Sequence, residues 1–146
     1  GAEDFVVECF EAARTAVPGV ALEARLDSAF FSHNMAVLLD DQKVQFTISA
    51  PFERFAELKE LIERRKRWRR LDDTWSYFEA DWKPKCWEWK FRFLFIRRKS
   101  KVIHKEPVQL DLFAPDSFEY EYKVIVTNKT AGPRAVLLFH NGRGSQ

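Results

Sequence analysis

The order of hydrophobic patterns in the first 51 residues constrains the fold of this chain more than any other feature. A helical pattern ends at the turn formed by Pro18 and Gly19, and two strand-like segments follow with one helical segment between them. Strands that are separated by a helix favour parallel pairing with a right-handed crossover, so the sequence predicts an α/β core. The predicted elements are a helix over residues 6–17, a strand over 20–26, a helix over 32–39 and a strand over 44–49.

One carboxylate, Asp27, stands directly after the first predicted strand. In open α/β sheets, ligands and metals bind outside the carboxyl ends of the strands, which makes this residue a candidate functional group. The same residue also suits a simpler role, because Asp is a preferred N-cap of a following helix. The residue type alone leaves both interpretations open.

After Pro51 the pattern changes to one longer helix and then to strands. Apolar residues recur at helical spacing over residues 53–68, and aromatic or apolar residues alternate in three later segments. Glu119 and Glu121 are predicted to pair across strands with Lys90 and Arg92. The three predicted strands cover residues 75–82, 87–98 and 118–127, and a final helix begins near Ala135.

Positive charge is concentrated in the middle third of the chain. Residues 64–101 carry 14 Lys and Arg against 5 Asp and Glu, whereas residues 1–63 carry 5 against 12. Such clustering is typical of a protein with a polyanionic partner. We call residues 64–70 the basic segment, because six of these seven residues are cationic. The cations either complement the dipole of a helix that ends there or contact phosphates. The candidate DNA-contacting residues are Arg64, Arg65, Lys66, Arg67, Arg69, Arg70, Arg92, Arg97, Arg98 and Lys99.

The sequence lacks the motifs of several common kinds of site. His33, His104 and His140 do not have the spacing of zinc ligands, and the chain has no glycine-rich phosphate loop and no G-x-S-x-G motif. Cys9 and Cys86 lie far apart, which fits a reducing compartment and predicts that both are packing residues. No apolar run approaches the roughly 20 residues of a membrane span and no signal segment is visible, so a soluble, cytoplasmic protein is expected. A carboxylate at a strand end beside a basic region points to metal-assisted phosphoryl chemistry.

Four short segments follow one another along the chain: Leu-Asp-Ser-Ala-Phe-Phe at 26–31, Phe-Thr-Ile-Ser at 46–49, Val-Ile-Val-Thr-Asn at 124–128 and Phe-His-Asn-Gly-Arg-Gly-Ser-Gln at 139–146. Taken in their order and spacing, they resemble bacterial insertion-sequence transposases of the DDE type. The resemblance covers nearly the whole chain and implies an RNase H-like core that is interrupted by a β-rich insertion. The implied division is core over residues 1–51, insertion over 52–121 and return to the core over 122–146.

The resemblance also assigns roles to individual residues. Asp27 matches the second carboxylate of the catalytic triad and is therefore implied to be a catalytic and metal-binding residue. Arg143 matches the Arg of a Tyr-x-x-Arg-x-x-x-Glu motif, where it is implied to contact DNA phosphate, while His140 stands where the motif has Tyr. The third carboxylate is then expected one residue past Gln146 and the first one upstream of Gly1, so that the chain is the middle of a catalytic domain.

The reaction that this resemblance implies is two-metal-ion phosphoryl transfer with Mg²⁺ or Mn²⁺ on double-stranded DNA at transposon ends. A homodimer in the parent protein is compatible with it. Because one carboxylate cannot hold two metal ions, the fragment by itself is expected to be inactive. Related transposases carry a Trp in the insertion that stabilises a flipped base, and the candidates here are Trp75, Trp82, Trp87 and Trp89.

Two other interpretations stay open at this point. The chain can be a non-catalytic nucleic-acid-binding module that uses its basic and aromatic central region, in which case Asp27 has no role and binding weakens steeply with salt. It can also be an α+β domain whose charges only solvate it, which predicts no measurable affinity for DNA. The clustered Trp and Phe residues likewise fit either the core of a small sheet or a surface on which bases stack.

Overall fold

A six-stranded mixed sheet organises the chain in the computed structural model, which describes residues 2–99 and 120–142. The strand order across the sheet is β1-β2-β6-β5-β4-β3, so the two ends of the sheet are formed by β1 and β3. The strands are β1 (Glu23–Leu26), β2 (Gln45–Ser49), β3 (Arg69–Arg70), β4 (Trp75–Ala80), β5 (Arg92–Lys99) and β6 (Tyr120–Thr127).

Helices connect and cover this sheet. Ser32 caps one of them, because its Oγ accepts the backbone N–H of Met35 at 3.0 Å. Pro133 occupies the first turn of the last one, where its missing N–H is tolerated. The helices are α1 (Ala2–Ala16), α2 (His33–Asp41), α3 (Ala56–Arg64) and α4 (Pro133–His140), with short 3-10 helices at Ser28–Phe30 and Phe52–Arg54. None of the helices in the described ranges is long and apolar enough to cross a membrane.

Strands β1 and β2 pair in parallel, with α2 between them along the chain. Leu26 of β1 lies opposite Ile48 of β2, so the two strands end side by side. The other neighbouring pairs, β2 with β6, β6 with β5, β5 with β4 and β4 with β3, are antiparallel. The predicted α/β character and the parallel pair in the first 51 residues are therefore confirmed, within a mixed sheet.

The two faces of the sheet carry separate cores. On one face, α2 and α3 cover buried residues such as Phe46, Phe93 and Phe95. On the other face, Val136 and Leu137 of α4 belong to a smaller cluster with Leu94, Ile96 and Ile125. Burying one such side chain fully stabilises the fold by roughly 1.5–3 kcal/mol. Successive residues of β2, β5 and β6 point to opposite faces of the sheet, so each strand contributes side chains to both cores.

Several predicted bounds are wrong. The helix predicted over residues 53–68 is only α3, because Arg65 already has an extended backbone with φ −74° and ψ 118°. The strand predicted from Trp87 begins at Arg92, since Trp87 lies in a turn where its N–H donates to the carbonyl of Pro84 at 3.0 Å. The strand predicted from Val20 begins at Glu23. Cys9 and Cys86 are exposed, so neither is a packing residue.

The predicted cross-strand pairing of Glu121 with Lys90 or Arg92 is also wrong. Strand β5 pairs with β6 in a register that places Arg98 opposite Glu121, and their side chains bond at 3.1 Å. Arg92 bonds instead to Glu79 of β4, at 2.6 and 3.0 Å. Lys90 forms an ion pair with Asp81, and Phe118 and Glu119 lie outside the described residues.

Candidate functional site

Asp27 lies at the carboxyl end of β1, beside the end of the parallel strand β2. Its side chain is exposed, and its Oδ1 accepts the backbone N–H of Ala29 at 2.9 Å. Asp27 is thus the N-cap of the 3-10 helix Ser28–Phe30, as the simpler interpretation expected. The cap engages one carboxylate oxygen, and the residue also stands at the sheet edge where α/β proteins bind ligands.

The carboxyl end of β2 is joined to α4 through His140. Nδ1 of His140 lies 2.7 Å from Oγ1 of Thr47, and its Nε2 lies 2.8 Å from Oγ of Ser49. Both hydroxyl-bearing residues are buried, so the imidazole satisfies polar groups that are shielded from water. Sequence reasoning singled out His140 only as a departure from a motif, and it missed Thr47 and Ser49. Their alternation on the polar side of a predicted strand was the one available signal.

The next two residues of the chain contact two other strands. Nζ of Lys123, a buried residue of β6, donates to Oδ1 of Asn141 at 3.1 Å. A Cβ placed on Gly142 would lie only 1.9 Å from Nη1 of Arg25, so the Arg25 guanidinium packs directly against this glycine. Gly142 has φ +77°, a left-handed conformation that favours glycine after a helix end.

We call these residues the α4 anchor. It consists of the last residue of α4, the two residues that follow it, and the side chains of the sheet that contact them. The anchor connects α4 to three neighbouring strands on one face of the sheet. Arg25, its contact on β1, is only two residues before Asp27 in the sequence. The α4 anchor therefore links the residues just after the last helix to β1, the strand that Asp27 follows. Its members are His140, Asn141, Gly142, Thr47, Ser49, Lys123 and Arg25.

The described residues do not by themselves form a metal centre. Within residues 2–99 and 120–142, no three His, Cys, Asp or Glu side chains are grouped so that they could hold a metal ion. Mg²⁺ requires near-octahedral oxygen coordination, and a pair of ions needs carboxylates that bridge or flank it. Asp27 is a single carboxylate, and the Mg²⁺ or Mn²⁺ site stays a prediction.

Three of the cations predicted to contact DNA are held in structural contacts. Arg92 bonds to Glu79 and also donates to the carbonyls of Lys129 and Ala131, at 3.1 and 2.6 Å. Arg98 bonds to Glu121, and its guanidinium also lies over the ring of Trp75 at 5.3 Å. The third, Arg97, lies over two rings: its guanidinium is 4.5 Å from the centroid of Trp68 and 3.9 Å from that of Tyr120.

All six cations of the basic segment are exposed. Arg64 approaches Glu60 at 3.9 Å and Arg70 forms an ion pair with Asp73, so the first and the last have carboxylate partners. The others have no carboxylate partner among the described residues, and we call them the four unpaired cations: Arg65, Lys66, Arg67 and Arg69. Arg65 has other contacts, since its Nε donates to the carbonyl of Arg67 at 2.7 Å and its guanidinium lies 4.8 Å from the ring centroid of Phe78. Arg143 lies outside the described residues.

The candidate stacking tryptophans differ in their surroundings. Trp87 is buried at 4% exposure, and Nε1 of Trp82 donates to Oε2 of Glu57 at 2.9 Å, so both are parts of the packed protein. Trp75 lies beneath the Arg98 guanidinium. Trp89 is 61% exposed, and its backbone N–H donates to Nε2 of His33 at 3.0 Å. Among these four, Trp89 alone presents most of its ring to solvent.

Comparisons with known proteins identify no family for this chain. No protein-family model matches it, and neither does any curated protein or any solved structure.

Proposed function

We propose that this chain is the central part of the catalytic domain of a DDE transposase, an enzyme that cuts and joins DNA at transposon ends. The observation that carries the proposal is the α4 anchor, in which Gly142, two residues past the end of α4, packs against Arg25 of β1, the strand that Asp27 follows. In the family that the chain resembles, the last carboxylate lies on this helix, one residue past Gln146 here. Only four residues, 143–146, separate Gly142 from the expected position of this carboxylate.

The open edge of β1 is consistent with an RNase H-like core. In the sheet order, β1 has a neighbour only on the side of β2 among the described strands. A further strand of the parent protein can pair on the other side and place its own carboxylate beside Asp27. Residues 52–121 are then the insertion, and β6 returns the chain to the core next to β2.

The residues of this chain have limited but specific tasks in such an enzyme. Asp27 supplies one of the carboxylates that hold the metal ions, and Arg143 contacts a DNA phosphate. When bound, a pair of Mg²⁺ or Mn²⁺ ions activates the attacking oxygen and stabilises the leaving oxygen. Since the other two carboxylates lie beyond this chain, the isolated chain is expected to have neither nuclease nor strand-transfer activity.

The test is Mn²⁺-dependent nicking of supercoiled DNA by the parent protein. Asp27→Asn is expected to reduce nicking to background, because it removes a metal-binding charge at the reacting phosphate. Asp41→Asn, which neutralises an exposed carboxylate at the end of α2, is the matched control and is expected to retain activity. Full activity of Asp27→Asn would overturn the proposal. Nicking by the isolated chain that Asp27→Asn abolishes would overturn the assignment of the chain as an inactive fragment.

A second function, a non-catalytic nucleic-acid-binding module, is favoured by one observation. The four unpaired cations are exposed on one continuous stretch of chain without carboxylate partners among the described residues. This alternative predicts DNA binding by a parent protein that has no nuclease activity and is indifferent to Asp27→Asn. The nicking experiment therefore separates the two functions.

A further inference from the structure

We infer that the four unpaired cations form a surface that binds the phosphate backbone of duplex DNA without reading its sequence. The inference rests on the proposed function only for the identity of the polyanion, DNA. It does not involve Asp27 or a metal ion. The surface itself is argued from exposure, charge and packing, and it can fail while the catalytic proposal stands.

The four unpaired cations lie on a stretch of chain that runs from the end of α3 to the edge strand β3. Arg65 is extended, and Arg69 lies opposite Tyr77 in the β3–β4 pair. In the sheet order, β3 has a neighbour only on the side of β4 among the described strands. Alternate side chains of an extended chain lie about 6.6 Å apart, which is similar to the separation of successive phosphates along a nucleic-acid strand.

A role at the helix terminus accounts for only some cations of the basic segment. Arg64 is the last residue of α3 and also approaches Glu60, and Arg65 is the C-cap of this helix. The interaction of a cation with a helix dipole falls off within the last turn, so Lys66 and Arg67 lie too far along the chain to serve it. The interpretation as a helix terminus therefore gives no reason for the cations that follow Arg65.

Protection of a sheet edge accounts for only part of the charge. Lys and other charged residues on an edge strand discourage pairing with a second chain, and Arg69 and Arg70 on β3 can serve that purpose. Arg65, Lys66 and Arg67 precede the strand, so edge protection gives no reason for them. Their remaining common property is an exposed positive charge.

The aromatic residue of the basic segment is not available to a ligand. The ring of Trp68 packs edge-on against Phe78, with centroids 4.6 Å apart, and lies 5.8 Å from Tyr122. Its other neighbour is the guanidinium of Arg97, at 4.5 Å. Proteins that bind single strands combine cations with rings on which bases stack, whereas phosphate contacts alone position a protein without reading sequence. The surface therefore suits the dense phosphates of a duplex.

The test compares the salt dependence of DNA binding between the original chain and two variants that lose the same charge. Binding is measured by fluorescence anisotropy on a labelled duplex of about 20 base pairs. The segment variant is Lys66→Gln with Arg67→Gln and Arg69→Gln. The control variant is Arg54→Gln with Lys85→Gln and Arg134→Gln, three exposed cations on other parts of the fold. Both variants lose the same charge, so a difference between them reports position and not net charge.

Four phosphate contacts predict a slope of log K against log salt concentration of about −3.6, since each contact contributes about −0.9. The segment variant is expected to have a slope near about −0.9 and at least about tenfold weaker binding at low salt, while the control keeps the original slope. Equal losses in both variants, or an unchanged slope in the segment variant, would overturn the inference. Tighter binding to a single strand or to an RNA duplex of the same length would overturn the assignment to duplex DNA.

Stability measurements and a single substitution show whether a loss of binding comes from the charged surface or from unfolding. The urea midpoints of both variants are expected to match the original chain because all substituted side chains are exposed. If the segment variant fails to fold, Arg67→Gln alone still tests the surface, with a slope change of about 0.9 expected and no change contradicting it. The nicking experiment depends on Asp27 and on metal ions, neither of which belongs to this surface, so a failure of the binding test does not bear on the nicking experiment.

Discussion

The guanidinium of Arg25 fills the space that a side chain at Gly142 would need. A Cβ at position 142 would stand 1.9 Å from Nη1 and 2.9 Å from Cζ of Arg25. This contact links the residues after α4 to Arg25 of β1, which lies two residues before Asp27 in the sequence. It is the part of the α4 anchor that most directly relates the last helix to the candidate catalytic carboxylate.

Gly142→Ala is expected to destabilise the chain by about 1–2 kcal/mol from its left-handed backbone alone, and further by displacing Arg25. Gly19→Ala is the matched control, because Gly19 has φ +80° but no atom within 4 Å of an added Cβ. Urea unfolding measures both. The excess loss at position 142 is expected to disappear in an Arg25→Ala background, and equal losses at both glycines would contradict the contact.

His140→Phe is expected to cost about 1–3 kcal/mol, because it takes a hydrogen-bond partner from the buried hydroxyl of Thr47. Replacing both partners by apolar groups is less costly than removing one. Adding Thr47→Val to His140→Phe is therefore expected to recover part of the lost free energy of unfolding. Strictly additive losses in this double-mutant cycle would show that the two side chains do not interact.

Trp87→Ala and Trp89→Ala are expected to separate core from surface. Trp87 is buried against Phe31, with ring centroids 4.9 Å apart, so its loss is expected to cost about 3–5 kcal/mol of unfolding free energy. Trp89→Ala is expected to change stability by less than about 0.5 kcal/mol. If Trp89 stacks on a base, its removal weakens binding to hairpin DNA by about 1–3 kcal/mol. Stable folding of Trp87→Ala would contradict the packing described above.

Asp72 predicts a pH dependence of stability. Its Oδ1 accepts the backbone N–H groups of Trp75 and Thr74, each at 2.8 Å, and these bonds hold the pKa of the carboxyl below its ordinary value. Because the folded pKa is the lower one, the stabilisation is complete above the unfolded pKa of about 3.9 and is lost as pH falls through the folded pKa.

Asp72→Asn provides the comparison for this pH dependence, since it keeps a side-chain acceptor but removes the charge. The advantage of the original chain over Asp72→Asn in free energy of unfolding is expected to be largest near neutral pH and to shrink below about pH 4. Urea unfolding across the acid range measures it. A difference that stays constant down to the lowest pH would mean that the carboxyl titrates alike in both states.

Local patterns in the sequence were sufficient to predict the secondary-structure elements around Asp27. The Pro18-Gly19 turn and the apolar alternation before Asp27 predicted a strand that ends at Leu26, and β1 ends there. The parallel pair followed from the helix between two strand patterns. Such features depend on neighbouring residues, which a sequence displays directly.

Contacts between distant parts of the chain could not be predicted in this way. His140 and Thr47 are 93 residues apart, and nothing in either local pattern indicates that they bond. Arg67 and Arg92 are likewise the same type of residue, yet one is exposed without a carboxylate partner among the described residues and the other is bonded to Glu79. The register of the sheet makes that distinction, and it is fixed by packing over the whole domain.

The most direct test of the proposed function is the parent coding sequence on both sides of this chain. We expect a Glu codon immediately after Gln146 and an Asp at the end of a strand encoded before Gly1. Together with Asp27 these residues complete a carboxylate triad. A stop codon or a residue without a carboxylate directly after Gln146 would contradict the transposase assignment and favour the nucleic-acid-binding module.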